Sequence, residues 1–184
     1  MLFITIGEII SLFIITIVLG YIFVDYVTPR NLDPFALVRN RWKDIKFASM
    51  IIAPAVIVHE LFHKFVAMSF GLPATFHVYW FGLGLALLLK LFKSPILILA
   101  PAFVSYPAIA TASQNMLIAF AGPFANLLMF IGATLWLKYG KLNNKKLIIL
   151  SLTKKINLFL FIFNMIPIPP FDGYYVFNGL LSLF

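Results

Sequence analysis

His59 and His63 stand four residues apart with Glu60 beside the first, inside an apolar run from Phe47 to Phe70. On a helix that spacing stacks both imidazoles on one face, one turn apart, where they reach a single metal ion. The glutamate between them is the usual general base for water activated at such a metal. Zinc-dependent hydrolysis is the chemistry these residue types favour. The residues leading into the motif, Met50 to Val58, are composed like a lipid-embedded helix. The expected reaction centre therefore lies at membrane depth.

A catalytic zinc commonly takes three protein ligands and keeps one position open. The chain has no cysteine, so the third ligand must be histidine or a carboxylate. After Glu60 the sequence offers only Asp172 and His77, with Glu8, Asp25, Asp33 and Asp44 before it. Asp25, Asp33 and Asp44 belong to a polar stretch. Asp172 is favoured over His77 because a proline break and Gly173 flank it, letting a backbone turn aim the carboxylate inward. Packing alone does not account for two histidines and a glutamate here. Each ionisable group costs several kcal/mol at membrane depth unless it is paired or ligated.

Composition bounds the scaffold. Of 184 residues, 62% are hydrophobic and 11% charged, and the mean hydropathy is +1.02. A soluble domain of this size cannot bury so much apolar side chain, so an integral membrane protein is expected. At roughly 20 apolar residues per span, about four to six membrane-entering segments fit, in an all-α polytopic fold. The formal charge of +8 sits between apolar runs. Topology and anionic lipid head groups explain it there, and no nucleic-acid partner is expected.

One membrane domain over 1–184 is the expected organisation. Residues 1–24 form a first, uncleaved helix that Glu8 interrupts. Residues 25–46 form a polar loop, with a short interfacial helix from Pro34 to Lys43. The motif helix spans 47–70, with a kink at Pro54, and Gly71-Leu72-Pro73 ends it. Within 74–112, Ala74 to Leu83 reads as extended and the remainder as re-entrant or interfacial. A second clear span covers 114–137. The last segment, 147–184, is a broken helix: either it begins after Lys154 and Lys155, or those lysines face water. Pro167, Pro169 and Pro170 must unwind it just before Asp172.

Three ordered elements give this chain a resemblance to the site-2 protease family of intramembrane metalloproteases. They are the membrane-embedded HExxH at His59 to His63, a Gly-Pro-x-x-Asn element at Gly122, Pro123 and Asn126, and a later motif. That motif pairs Asn164 with Pro167, Pro169, Asp172 and Gly173. Phe62 holds a place often taken by glycine, and Lys64 follows the second histidine. The resemblance implies His59, His63 and Asp172 as ligands of one Zn2+ and Glu60 as general base. It also implies that Asn164 holds substrate or stabilises an oxyanion.

The reaction so implied is hydrolysis of a peptide bond in the transmembrane segment of another protein, within the lipid bilayer of the cell membrane. A substrate helix hides its amides, so it must unwind, for which strand addition along Ala74 to Leu83 is one route. The positive-inside rule places Arg30 to Lys46 and Lys138 to Lys146 in the cytoplasm, whereas the family resemblance implies the opposite orientation. Two rivals remain at this stage. A membrane metal-ion transporter would also place ionisable residues in broken helices, but it has no need of Glu60. A non-catalytic homologue would only bind membrane proteins.

Overall fold

The computed structural model describes residues 3–28, 40–94 and 101–183. Their elements, in chain order, are α1 (Ile6–Val27), α2 (Arg41–Ser69), β1 (Thr75–Val78), α3 (Trp80–Leu91), β2 (Ala102–Ser105), α4 (Ala112–Tyr139), α5 (Asn144–Asn164) and α6 (Asp172–Leu181). The fold is the expected all-α arrangement with one small two-stranded sheet. Helices α1, α2, α4 and α5 are long and apolar enough to cross a membrane. The chain divides into two compact units, Met1–Pro54 with Phe76–Phe103, and Ala55–Thr75 with Val104–Phe184.

In the first unit, α1 opens with a capping box. Thr5 accepts the Glu8 amide through its hydroxyl, and the Glu8 carboxylate accepts the Thr5 amide at 2.8 Å. The two bonds satisfy donors that a helix start leaves unpaired. Glu8 is buried, and its other carboxylate oxygen accepts the Phe76 amide of β1 at 2.7 Å. It therefore closes a helix end and holds a strand rather than interrupting the span. Gly20 lets α1 lie close to the first half of α2: a Cβ there would collide with the Ser49 hydroxyl, which donates to the Thr16 carbonyl at 3.0 Å. Ile15, Leu19, Ile22, Ala48 and Ile52 are buried in this unit. Lys90 of α3 donates to the Ile22 carbonyl at 2.7 Å and pairs with Asp25 at 2.9 Å. It supplies a cation where the α1 dipole is negative and where α1 carries no basic residue of its own.

The second unit holds the HExxH half of α2 together with α4, α5 and α6. Gly71, at φ 75°, ends α2 as expected, and the Leu72 amide returns to the Ala67 carbonyl at 3.1 Å. Ala67, Leu72, Ala74 and Ile118 form a small buried cluster beside Val104 and Tyr106. A second capping box, Thr111 with Gln114, starts α4. The Asn143 side chain caps α5 by accepting the Lys146 amide at 2.9 Å. Helix α5 stops at Asn164, where the prolines follow, and α6 starts at Asp172. A Cβ on Gly173 would collide with the Met165 carbonyl, so glycine permits this close return of the chain.

Several expected boundaries move. Helix α2 starts at Arg41, not Phe47, because the polar residues ahead of the apolar run continue the same helix and Asn40 accepts the Trp42 amide at 3.0 Å. It runs through Pro54. The first helix extends to Val27, taking three residues from the expected polar loop. Most of the proposed interfacial helix from Pro34 lies outside the described residues; its last residues, Arg41 to Lys43, belong to α2. The extended stretch is shorter than expected, because the leucine-rich run after Tyr79 takes helical form as α3. At 12 residues α3 is too short to cross a bilayer. The Tyr79 amide donates to the Pro101 carbonyl and the Ser105 hydroxyl to the Thr75 carbonyl, so β1 and β2 run antiparallel. Helix α4 exceeds its expected limits by two residues at each end. Helix α5 begins earlier than expected and passes through both lysines: Lys155 is exposed, and the Lys154 ammonium lies 5.8 Å from the Phe130 ring.

Candidate metal centre

His59 and His63 lie one turn apart on α2, and both are buried. Asp172, the first residue of α6, brings its carboxylate to them. Its Oδ2 stands 3.1 Å from Nε2 of His59 and 3.4 Å from Nε2 of His63. The two Nε2 atoms are 3.0 Å apart. One atom from each of the three residues falls within 4.8 Å of the others. The aspartate favoured over His77 is thus the residue that closes the group. His77 lies on β1, its ring stacked on Phe103 at 5.4 Å.

The far side of each ring is committed. His63 Nδ1 is 2.6 Å from the Ile118 carbonyl of α4. A carbonyl only accepts, so this nitrogen carries the proton. His59 Nδ1 is 2.7 Å from Oδ1 of Asn126, also on α4. With both Nδ1 atoms donating, the two Nε2 atoms and the Asp172 oxygen meet as three electron-pair donors. They repel one another unless positive charge lies among them, either protons or a cation. Two imidazoles and a carboxylate form a donor set suited to zinc, and rings held through Nδ1 are the usual support for metal-binding histidines.

Gly122 of α4 completes the cradle. A Cβ there would collide with His63 Nε2 and lie 2.6 Å from His59 Nε2. Only a glycine leaves room before the donor atoms. The residues therefore fit a metal ion in donor type, in second-layer support and in space.

Glu60 is buried on the same turn of α2, within electrostatic reach of both imidazoles and of Asp172. Asn164, the last residue of α5, is partly buried and donates through its amide to the Leu160 carbonyl at 3.0 Å. That bond uses one of its two N–H donors. Two further residues enter that the sequence reading did not single out. Asn157 of α5 is fully buried, and its Oδ1 accepts from Asn126 at 2.9 Å. Tyr106, outside the four long helices, has its hydroxyl pushed up by burial first, and then by nearby Tyr175 and Asp172. An amide in the middle of an apolar helix is the one sequence signal that marks Asn157, because such a group demands a partner.

No protein-family profile and no solved structure matches the chain. Among curated proteins it is similar to one from Methanocaldococcus jannaschii named "Putative zinc metalloprotease", at 38% identity over 123 residues. The match covers 66% of this chain and 64% of that protein. A Synechocystis protein carrying the same descriptive name is 31% identical over 126 residues, 68% of this chain and 28% of that one. The chain thus spans less than two thirds of the length of either relative. Similarity to zinc metalloproteases so named stands beside a group of two buried histidines and a partly buried aspartate in an apolar, helical chain.

Proposed function

We propose that this protein is an intramembrane zinc metalloprotease of the site-2 type, hydrolysing a peptide bond in or near the transmembrane segment of another membrane protein. The observation that carries the reading is the convergence of His59, His63 and Asp172, with Glu60 on the same helical turn. Four helices able to cross a membrane place that convergence in an apolar chain, and the names of the two relatives agree with it. The expected setting is a multi-pass protein of the cell membrane.

His59, His63 and Asp172 would hold one zinc ion through Nε2, Nε2 and Oδ2. When bound, zinc acts as a Lewis acid that acidifies water and polarises a carbonyl. Glu60 takes the proton from the attacking water and delivers it to the leaving amine, a role worth typically 10²–10⁴-fold. Asn164 keeps one N–H on Leu160 and turns the other toward the oxygen that gains negative charge, worth typically about 3 kcal/mol. Asn126 and the Ile118 carbonyl keep each imidazole turned with Nε2 inward. Unwound substrate adds as a strand to the β1–β2 sheet. On the outer edge of β1 the Phe76 amide already bonds Glu8, so pairing there begins beyond Phe76 or displaces that carboxylate.

The test is metal analysis of the purified chain, followed by cleavage of transmembrane substrates with and without chelator. Glu60→Gln should keep the zinc and lose cleavage. A metal-ion transporter would keep its transport with that substitution, and a purified chain that cleaves without bound metal would overturn the reading.

A further inference from the structure

The buried amide pair Asn126 and Asn157 forms a chain of hydrogen bonds whose direction is fixed at both of its anchors. Asn157 donates through Nδ2 to the Thr153 carbonyl at 2.8 Å. That carbonyl can only accept, so the Asn157 amide nitrogen faces it and Oδ1 turns toward Asn126. Asn126 donates through Nδ2 to this Oδ1 at 2.9 Å and to the Ala55 carbonyl at 3.0 Å. Both of its N–H groups are then spent on acceptors. Its own Oδ1 is left facing His59 Nδ1 at 2.7 Å. An acceptor placed there demands the proton on Nδ1 of His59, which leaves the lone pair on Nε2. Both asparagines are at 0% exposure, so water does not substitute for any of these partners. Among the described residues, no fully buried side-chain polar atom lacks a hydrogen bond.

We infer that Asn157, which the HExxH, Gly-Pro-x-x-Asn and proline motifs do not include, is a positioning residue that fixes the His59 tautomer through Asn126. Turning Asn126 over would set its oxygen against the Ala55 carbonyl and Asn157 Oδ1, and turning Asn157 over would set its oxygen against the Thr153 carbonyl and its N–H against that of Asn126. The Ala55 carbonyl alone gives Asn126 one anchor. Asn157 supplies the second, and with it the amide has a single satisfied orientation. His63 needs no such device, because its Nδ1 meets a backbone carbonyl directly. His59 meets a side chain that, unaided, can present either end, and Asn157 removes that freedom. The inference rests on the zinc-centre reading for its consequence, which is metal affinity. Its structural content, the tautomer of His59, is readable without metal.

The experiment uses the full chain in detergent, labelled with ¹⁵N-histidine. The chain has 3 histidines; a His77→Gln variant identifies His77 by difference, and a His63→Gln variant separates His63 from His59. In metal-free wild type, at a pH high enough for the group to have shed the protons shared among His59, His63 and Asp172, the neutral His59 ring should carry its proton on Nδ1. Asn157→Leu keeps the branching at Cγ but offers no acceptor. It should give a mixed tautomer at His59, leave His63 unchanged, and weaken Co2+ affinity about 10-fold; Asn126→Leu should approach about 100-fold. Asn157→Asp retains the acceptor, and its protonated form can still donate to Thr153, so it should restore both readouts. The proposal is overturned if the neutral wild-type His59 ring carries its single proton on Nε2 rather than Nδ1, a result that needs no variant to fold. It is also overturned if Asn157→Leu matches wild type in both readouts, or if Asn157→Asp loses as much as Asn157→Leu. Failure of wild type to bind Co2+ or Zn2+ at all would instead end the metal-centre reading while the tautomer measurement still decides the relay.

Discussion

Gly122→Ala adds one methyl group to α4 and isolates the claim that the two imidazoles face a metal. The new Cβ would lie 2.6 Å from His59 Nε2 and collide with Nε2 of His63. An ordinary contact needs about 3.5 Å, so the His59 ring must retreat by about 0.9 Å, and His63 by more. Metal–ligand distances hold to within about 0.2 Å, several times less than this retreat. Zinc affinity should therefore fall by at least about 100-fold, or about 2.7 kcal/mol. The metal-free protein should change far less. Alanine in a helix interior is worth about 1 kcal/mol over glycine, which offsets part of an overpacking cost of about 1–3 kcal/mol. With free zinc at about 1,000 times the wild-type Kd, zinc stabilises the fold by about 4.1 kcal/mol; at ten times Kd this shrinks to about 1.4 kcal/mol. The assay is thermal unfolding in detergent with and without zinc, paired with chelator competition for affinity. Gly132→Ala, where nothing lies within 4 Å of the added Cβ, is the control and should leave zinc binding intact. Wild-type zinc affinity in Gly122→Ala would refute the cradle.

Asp172→Asn removes the anionic member of the donor group. It should lower zinc content after dialysis to a small fraction of wild type while far-UV circular dichroism stays helical; full retention would place the third ligand elsewhere. Zinc displaces protons from the group, so affinity should rise with pH and fall on acidification, by up to about tenfold per unit for each proton released. Titration calorimetry in buffers of different ionisation enthalpy counts those protons, and a flat affinity between pH 5.5 and 7.5 would contradict the donor set. Glu8→Ala leaves the Phe76 and Thr5 amides without their carboxylate. It should cost about 1–3 kcal/mol in denaturant unfolding, and Glu8→Gln, which keeps an acceptor, should cost less.

The centre was legible where the signal is local or scarce. The HExxH spacing needs only a helix, and the chain's six acidic residues left few third ligands to choose from. The proline run that stops α5 at Asn164 and the glycine that stops α2 are backbone constraints written directly in residue type. The start of α2 was not legible, because hydropathy reports which residues face apolar surroundings, whereas a helix continues wherever its backbone bonds do. The brevity of β1 was hidden for a related reason. Trp80 and Phe81 favour strands by type, but the leucines after them favour α3. The Glu8 bond to Phe76 joins residues 68 apart in sequence, a pairing no local pattern encodes. Asn126 was visible as part of a motif, but its bonds to His59, Ala55 and Asn157 exist only once α2, α4 and α5 have come together.

Among the described residues, seven polar or charged ones are buried: Glu8, His59, Glu60, His63, Lys64, Asn126 and Asn157. In an apolar chain each such group is costly, so the direction in which its bonds run distinguishes support from chemistry. In the bonds of Glu8, the carboxylate accepts from the Thr5 and Phe76 amides and the Thr5 hydroxyl, holding a helix end and a strand. Those of Asn157 and Asn126 pass from the Thr153 and Ala55 carbonyls to a ring nitrogen, so they exist for the histidine rather than for a helix end. The bonds of His59 and His63 are satisfied on the Nδ1 side alone. On the Nε2 side both rings turn toward each other and toward a carboxylate, and with each Nδ1 donating the neutral rings offer only lone pairs there. A fold that needed these groups only for packing would have ended that side on an amide or a hydroxyl, as it does at Glu8. Three electron pairs directed at one point need positive charge among them, and His59, His63 and Asp172 form a group that could hold a metal ion there.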